Sequence, residues 1–167
     1  KTLTDVGGSA AMLSIMVAKN HPHMQCVSFD LPAVEPIAKA TIEKFQLTNQ
    51  VKTPGGVFFA NDIPKADIVV MGNILHDGDE ETKLMLRQKA YDAIPKGGVF
   101  VAIENVIDDQ RNKNAFGMMM SLNMLIETGT GFDYTFADFN KWAKQVGFKS
   151  TTIITLVGPA SAVVAYK

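Results

Sequence analysis

One cysteine, one tryptophan and three histidines stand in a chain of 167 residues, and each scarcity narrows what the protein does. Cys26 has no possible partner within the chain, which excludes a disulfide framework and a site built from clustered cysteines. A reducing, cytoplasmic setting is the expectation. No apolar run approaches the roughly 20 residues of a membrane-spanning helix, and no charged n-region with an apolar h-region opens the sequence. An excess of one charge is missing too. Sixteen basic residues face seventeen acidic ones, for a net charge of −1, and no basic run is long enough to follow a nucleic-acid backbone or hold a membrane surface. A small, nearly neutral molecule is the expected partner.

What the chain does have is apolar content. At 47% hydrophobic residues it suits one domain over residues 1–167, able to bury about 70% of its unfolded surface. Short apolar runs alternate with amphipathic stretches of helix length, the pattern of βαβ units in a parallel sheet. Strands are predicted at residues 3–6, 26–29, weakly near 51–59, then at 67–71, 99–104, 148–156 and 162–166. Helices are predicted at 10–20, 34–45, 80–94, 115–128 and 136–146. Pro95-Lys96-Gly97-Gly98 ends one helix and turns the chain into the next strand. The last two strands are joined by Val157-Gly158-Pro159-Ala160-Ser161 with no intervening helix, so they should pair antiparallel. The expected fold is α/β: seven strands, mostly parallel, a C-terminal antiparallel hairpin, and helices on both faces.

Chemistry is concentrated in Ile74-Leu75-His76-Asp77. The preceding apolar run reads as a buried parallel strand, so His76 falls beyond its carboxyl end, where open α/β sheets bind ligands. An imidazole titrates near neutrality, and a general base is the leading reading. Asp5-Val6-Gly7-Gly8-Ser9 leads from the first strand into the first helix, a turn of small residues that lets backbone amides approach a polar ligand or simply connects the two elements. Asp30 ends the second strand, where a carboxylate either receives ribose hydroxyls or caps the helix that follows. His21 and His23 flank Pro22 in a connection and read as surface residues. Met118-Met119-Met120 with Leu122, Met124 and Leu125 has helical spacing, which favours core over a pocket lining.

With Asp5, Gly7, Gly8, Asp30-Leu31-Pro32 and Leu75-His76-Asp77 in this order, the chain resembles the class I, S-adenosylmethionine-dependent O-methyltransferases. Within that class it is most similar to caffeic acid and hydroxyindole O-methyltransferases and their bacterial small-molecule relatives. The resemblance implies a Rossmann-like catalytic domain without the N-terminal winged-helix-like dimerisation region such proteins carry, and a homodimer in the full-length parent. It implies that Asp5, Gly7, Gly8, Ser9, Asp30, Leu31, Val57, Phe58, Gly72 and Asn73 surround S-adenosylmethionine. His76 would be the base, with Glu104 and Asp133 behind its ring. Met119, Asn123 and Met124 would line the pocket for a small aromatic acceptor, with Asn123 facing inward. No metal is expected, because the histidine removes the proton and no clustered carboxylates suit Mg²⁺.

Four positions depart from the family pattern. Ser9 and Ala11 replace glycines of the turn, each adding a Cβ where backbone nears cofactor or strand. Val57 stands where an acid near the adenine is common. Gly78 follows His76-Asp77 where a tryptophan is common, which removes an aromatic wall. These departures motivate a second reading, a catalytically impaired cofactor-binding or dimer-forming module. A nicotinamide-dependent oxidoreductase shares the glycine turn and the distal acid, but the terminal hairpin and the Leu-His-Asp element argue against it.

Overall fold

The computed structural model describes residues 1–167. The elements are β1 (Thr2–Val6), α1 (Met12–Asn20), β2 (Gln25–Phe29), α2 (Glu35–Lys44), β3 (Val51–Lys52) and β4 (Ile68–Gly72). A single 3-10 turn (Leu75–Asp77) then leads into α3 (Glu80–Ala93), β5 (Val99–Glu104), α4 (Ala115–Thr128), α5 (Phe136–Val146), β6 (Ser150–Thr155) and β7 (Ser161–Tyr166). All strands form one sheet in the order β3-β2-β1-β4-β5-β7-β6. The pairings from β3 through β5 are parallel, and β7 runs antiparallel to both β5 and β6. The expected seven-stranded sheet with its closing hairpin is therefore present.

Alternation along the strands explains the layers. In β4, Val69 and Met71 enter one core cluster while Val70 enters the other, so the strand is buried on both faces as a central parallel strand must be. One face is covered by α1 and α2 through Ile15, Ala18, Ala38 and Ile42. The other is covered by α3 and α5 through Leu86, Ala90, Phe139 and Trp142, packed on Phe100 of β5. No helix is long and apolar enough to cross a membrane.

Some boundaries differ from the sequence reading for local reasons. The weak strand near 51–59 is only two residues long, because Pro54-Gly55-Gly56 removes a donor and lets the chain leave the sheet. The first helix begins at Met12, after a turn in which Ala11 adopts a left-handed conformation. Strand β6 begins at Ser150, and Phe148 instead packs edge-on against Tyr91 at 5.0 Å between ring centroids. The largest difference is α4. Its methionine-rich spacing favours core, yet Phe116, Met119, Leu122, Leu125 and Ile126 are exposed and only Gly117 and Met124 are buried.

The order of the strands reverses direction between β1 and β4, which opens a crevice at their carboxyl ends. Both the glycine turn after β1 and the His76 turn after β4 open onto it.

Candidate active site

The turn after β1 keeps a glycine-type path even where glycine is absent. Gly7 has φ +72°, and Ser9 and Ala11 hold left-handed backbone at φ 49° and 63°. Asn73, following β4 on the other side of the crevice, does the same at φ 53°. Left-handed backbone in a residue with a side chain is costly and concentrates at functional sites. A Cβ on Gly8 would overlap the Ser28 hydroxyl and approach Asp5 Oδ2 at 2.9 Å, so only glycine fits that position. Gly72, in contrast, faces open space: a Cβ there would meet nothing within 4 Å.

Asp30 closes one side of this cradle. Its Oδ2 accepts the Ser9 amide at 2.8 Å and its Oδ1 the Leu31 amide at 2.7 Å, which holds the carboxylate at the end of β2. The backbone of Asp30 also pairs with Gly55 and accepts the Gly56 amide at 2.8 Å, so the segment carrying Val57 and Phe58 runs beside it. The Val57 amide is held by Asn61 Oδ1 at 2.8 Å. Phe58 is buried and Leu31 exposed. Beneath the turn lies Asp5, buried, with Oδ2 unpaired; burial and the neighbouring Asp30 charge push its carboxyl up to about 7. A glycine cradle, a fixed carboxylate at a strand end and an unpaired buried acid fit an adenosyl group with polar hydroxyls.

The second half of the site is built around His76, which is 6% exposed. Its Nδ1 lies 3.3 Å from Asp133 Oδ1 and its Nε2 lies 3.5 Å from Asp77 Oδ1. Glu104, at the end of β5, approaches the histidine from below but acts on its backbone: Oε1 accepts the Ile74 and His76 amides, each at 3.1 Å. The expected carboxylate behind the ring is thus Asp133, while Glu104 fixes the path of the turn. Burial alone would lower the imidazole pKa. The Asp133 hydrogen bond and the charges of Glu104, Asp133 and Asp77 outweigh it, and His76 titrates above its ordinary value.

Asp133 is held from several sides. Its amide donates to Ser121 Oγ of α4 at 3.0 Å, and Gly131 passes so close to the turn that a Cβ there would meet the His76 carbonyl at 2.5 Å. Gly78, which stands where an aromatic side chain is common, packs closely against the start of α3. A Cβ on it would meet Thr82 Cγ2 at 2.5 Å, and its carbonyl accepts a hydrogen bond from Lys83 Nζ.

The acceptor-pocket residues are less gathered. Met124 is buried, Met119 is 73% exposed, and Asn123 does not face inward: its amide donates to Glu127 Oε1 at 2.8 Å on the exposed side of α4. Ser121, Lys83 and Arg87 belong to the site's surroundings but are not singled out by the sequence, and Asp77 enters there only as part of the Leu75-His76-Asp77 element. Asp77 had the plainest signal, adjacency to His76. The other three look like ordinary helix residues until the fold is known.

Residues 1–149 match the family model described as an O-methyltransferase domain. The chain is 31% identical over 166 residues to the tetracenomycin polyketide synthesis 8-O-methyl transferase TcmO of Streptomyces glaucescens, covering 99% of this chain and 49% of that protein. It is 32% identical over 167 residues to a 3-hydroxy-5-methyl-1-naphthoate 3-O-methyltransferase of Streptomyces sahachiroi, covering 99% of this chain and 48% of the relative. The human N-acetylserotonin methyltransferase, solved in complex with SAM, superposes with a TM-score of 0.90 at 26% identity, over 99% of this chain and 47% of that one. The chain therefore spans about half the length of the relatives it matches. Its sheet, its glycine cradle and its match over residues 1–149 lead to one conclusion, that the chain belongs to the O-methyltransferase domain family.

Proposed function

We propose that this chain is the cofactor-binding and catalytic part of an S-adenosylmethionine-dependent O-methyltransferase that acts on a phenolic hydroxyl of a small aromatic molecule. One observation carries the reading: a nearly buried histidine beside the cofactor crevice, with a buried carboxylate on one ring nitrogen. Asp133 on Nδ1 selects the tautomer that leaves Nε2 as the basic atom. S-adenosylmethionine, when bound, supplies the electrophilic methyl group. Gly7, Gly8 and Ser9 would present backbone to it, Asp30 would receive its ribose hydroxyls, and Leu31, Val57, Phe58, Gly72 and Asn73 would surround the rest. His76 Nε2 would take the proton of the acceptor hydroxyl as the oxygen attacks. No step of this reading calls for a metal. The relatives named as O-methyltransferases of a polyketide and of a naphthoate support an aromatic acceptor. A homodimeric, cytoplasmic parent completes the proposal, and the exposed apolar residues of α4 support the dimer.

The test separates binding from chemistry. His76→Ala should bind S-adenosylhomocysteine with nearly the affinity of the unaltered chain by calorimetry, while turnover of a hydroxylated aromatic falls by roughly 10² or more. An unchanged rate would remove His76 from the mechanism. Absence of methyl transfer to any member of an acceptor panel, with cofactor binding intact, would favour the impaired binding module.

A further inference from the structure

Two cations lie where a helix normally keeps apolar residues. Lys83 and Arg87, one turn apart on α3, are both fully buried. Arg87 NH1 donates to the Lys83 carbonyl at 3.0 Å, and its guanidinium lies 5.3 Å from the Tyr134 ring centroid and 4.8 Å from that of Trp142. Lys83 Nζ sits 3.6 Å over the Phe132 ring and donates to the Gly78 carbonyl. These contacts share one arrangement. Phe132 and Tyr134 are the two neighbours of Asp133, and Gly78 follows directly on the turn that carries His76 and Asp77. Each ring beside Asp133 is seated on a cation of α3, and the same ammonium group holds the end of the histidine turn.

We infer that Lys83, backed by Arg87, is a positioning residue that ties the His76 turn to the Asp133 segment and so keeps the carboxylate on the imidazole. The inference rests on the reading of His76 as the base. The groups that bear on Lys83 are Glu104 of β5, Asp133, Asp79 at the start of its own helix and Arg87; those that bear on His76 are Asp133, Glu104 and Asp77. Burial and Arg87 lower the Lys83 pKa, to about 8, while Glu104, Asp133 and Asp79 act to raise it. An aliphatic side chain at residue 83 would still cover Phe132. It would release the Gly78 carbonyl.

The experiment is an NMR titration of the His76 ring in the intact chain, which needs no acceptor. In Lys83→Met the Asp133 contact should loosen and the His76 midpoint should fall by roughly one pH unit, with Lys83→Arg restoring most of it. Phe132→Leu, a milder change on the other side of the contact, should shift the midpoint the same way by less and covers the case in which Lys83→Met does not fold. A midpoint that stays or rises while the melting temperature drops would overturn the inference, since it would make Lys83 a packing residue only. Failure of the unaltered chain to methylate any phenol would count against the function proposed above and would leave this titration readable.

Discussion

His76 Nδ1 and Asp133 Oδ1 lie 3.3 Å apart although the residues are 57 positions apart in sequence, and both side chains are nearly sealed from solvent. This pairing determines how the rate should depend on pH. A base must be neutral to act, and the His76 pKa is raised, so turnover should rise with pH through a midpoint above that of free imidazole. In Asp133→Asn the hydrogen bond to a charged partner is lost while burial still disfavours the imidazolium. The midpoint should move to lower pH, and maximal turnover should fall roughly 10-fold or more as the ring loses its orientation. A pH–rate profile of the two proteins checks both expectations, and an unmoved midpoint would contradict them.

Asp5 makes an opposite kind of prediction, about stability. Its folded pKa is raised to about 7 from an unfolded value near 3.8, so the unfolded chain releases the proton first. Stability from this group is present at acid pH and is lost as pH rises through that window, at up to about 1.4 kcal/mol per pH unit. Asp5→Asn should flatten the decline. Urea unfolding between pH 4 and pH 8 reads it directly.

Ser9 holds φ 49° in the turn, a conformation that costs a residue with a side chain about 1 kcal/mol. Ser9→Gly should relieve that strain and lose part of the gain to a freer unfolded chain, for a net stabilisation of about 0.5 kcal/mol. The Ser9 amide that Asp30 accepts is unaffected by the change. A small rise in melting temperature with unchanged S-adenosylhomocysteine affinity is the expected result, and a fall in melting temperature would show that the hydroxyl is needed.

Gly131 lies against the carbonyls of His76 and Asp77, with Thr128 Oγ1 on its third side. Gly131→Ala must displace the segment that carries Asp133. A cost of about 1–3 kcal/mol is expected from the forced shift, with turnover lower by roughly 10-fold to 100-fold. Parallel measurement of unfolding and kcat tests the coupling; lost stability at full turnover would mean that the site tolerates the shift.

Much of this arrangement was legible in the sequence because it depends on periodicity. The strands around Val69 and Phe100 are short apolar runs set off by turn residues, and their burial on both faces is what such runs imply. The hairpin at 150–166 followed from a connection too short for a helix. Other features were hidden for equally physical reasons. Charged residues on a helix read as solvated, so nothing in Lys83 or Arg87 announces that Phe132, Tyr134 and Trp142 arrive from far along the chain to cover them. The apolar spacing of α4 shows that one face avoids water but does not say which neighbour receives it, and within these 167 residues that face stays exposed. Val57 and Gly78 read as departures from the family pattern, and nothing in the sequence shows that Asn61 Oδ1 holds the Val57 amide or that Thr82 packs against Gly78.

The unequal exposure of the carboxylates around His76 bears on how the proposed catalyst would reset. Glu104 and Asp133 are each 1% exposed, whereas the Asp77 side chain is 50% exposed and reaches Nε2 at 3.5 Å. In that reading the sealed acids would give a proton captured at Nε2 no outlet. Asp77 would be its door to bulk water, so the residue that contributes least to fixing the ring would govern how soon the imidazole is ready for another cycle.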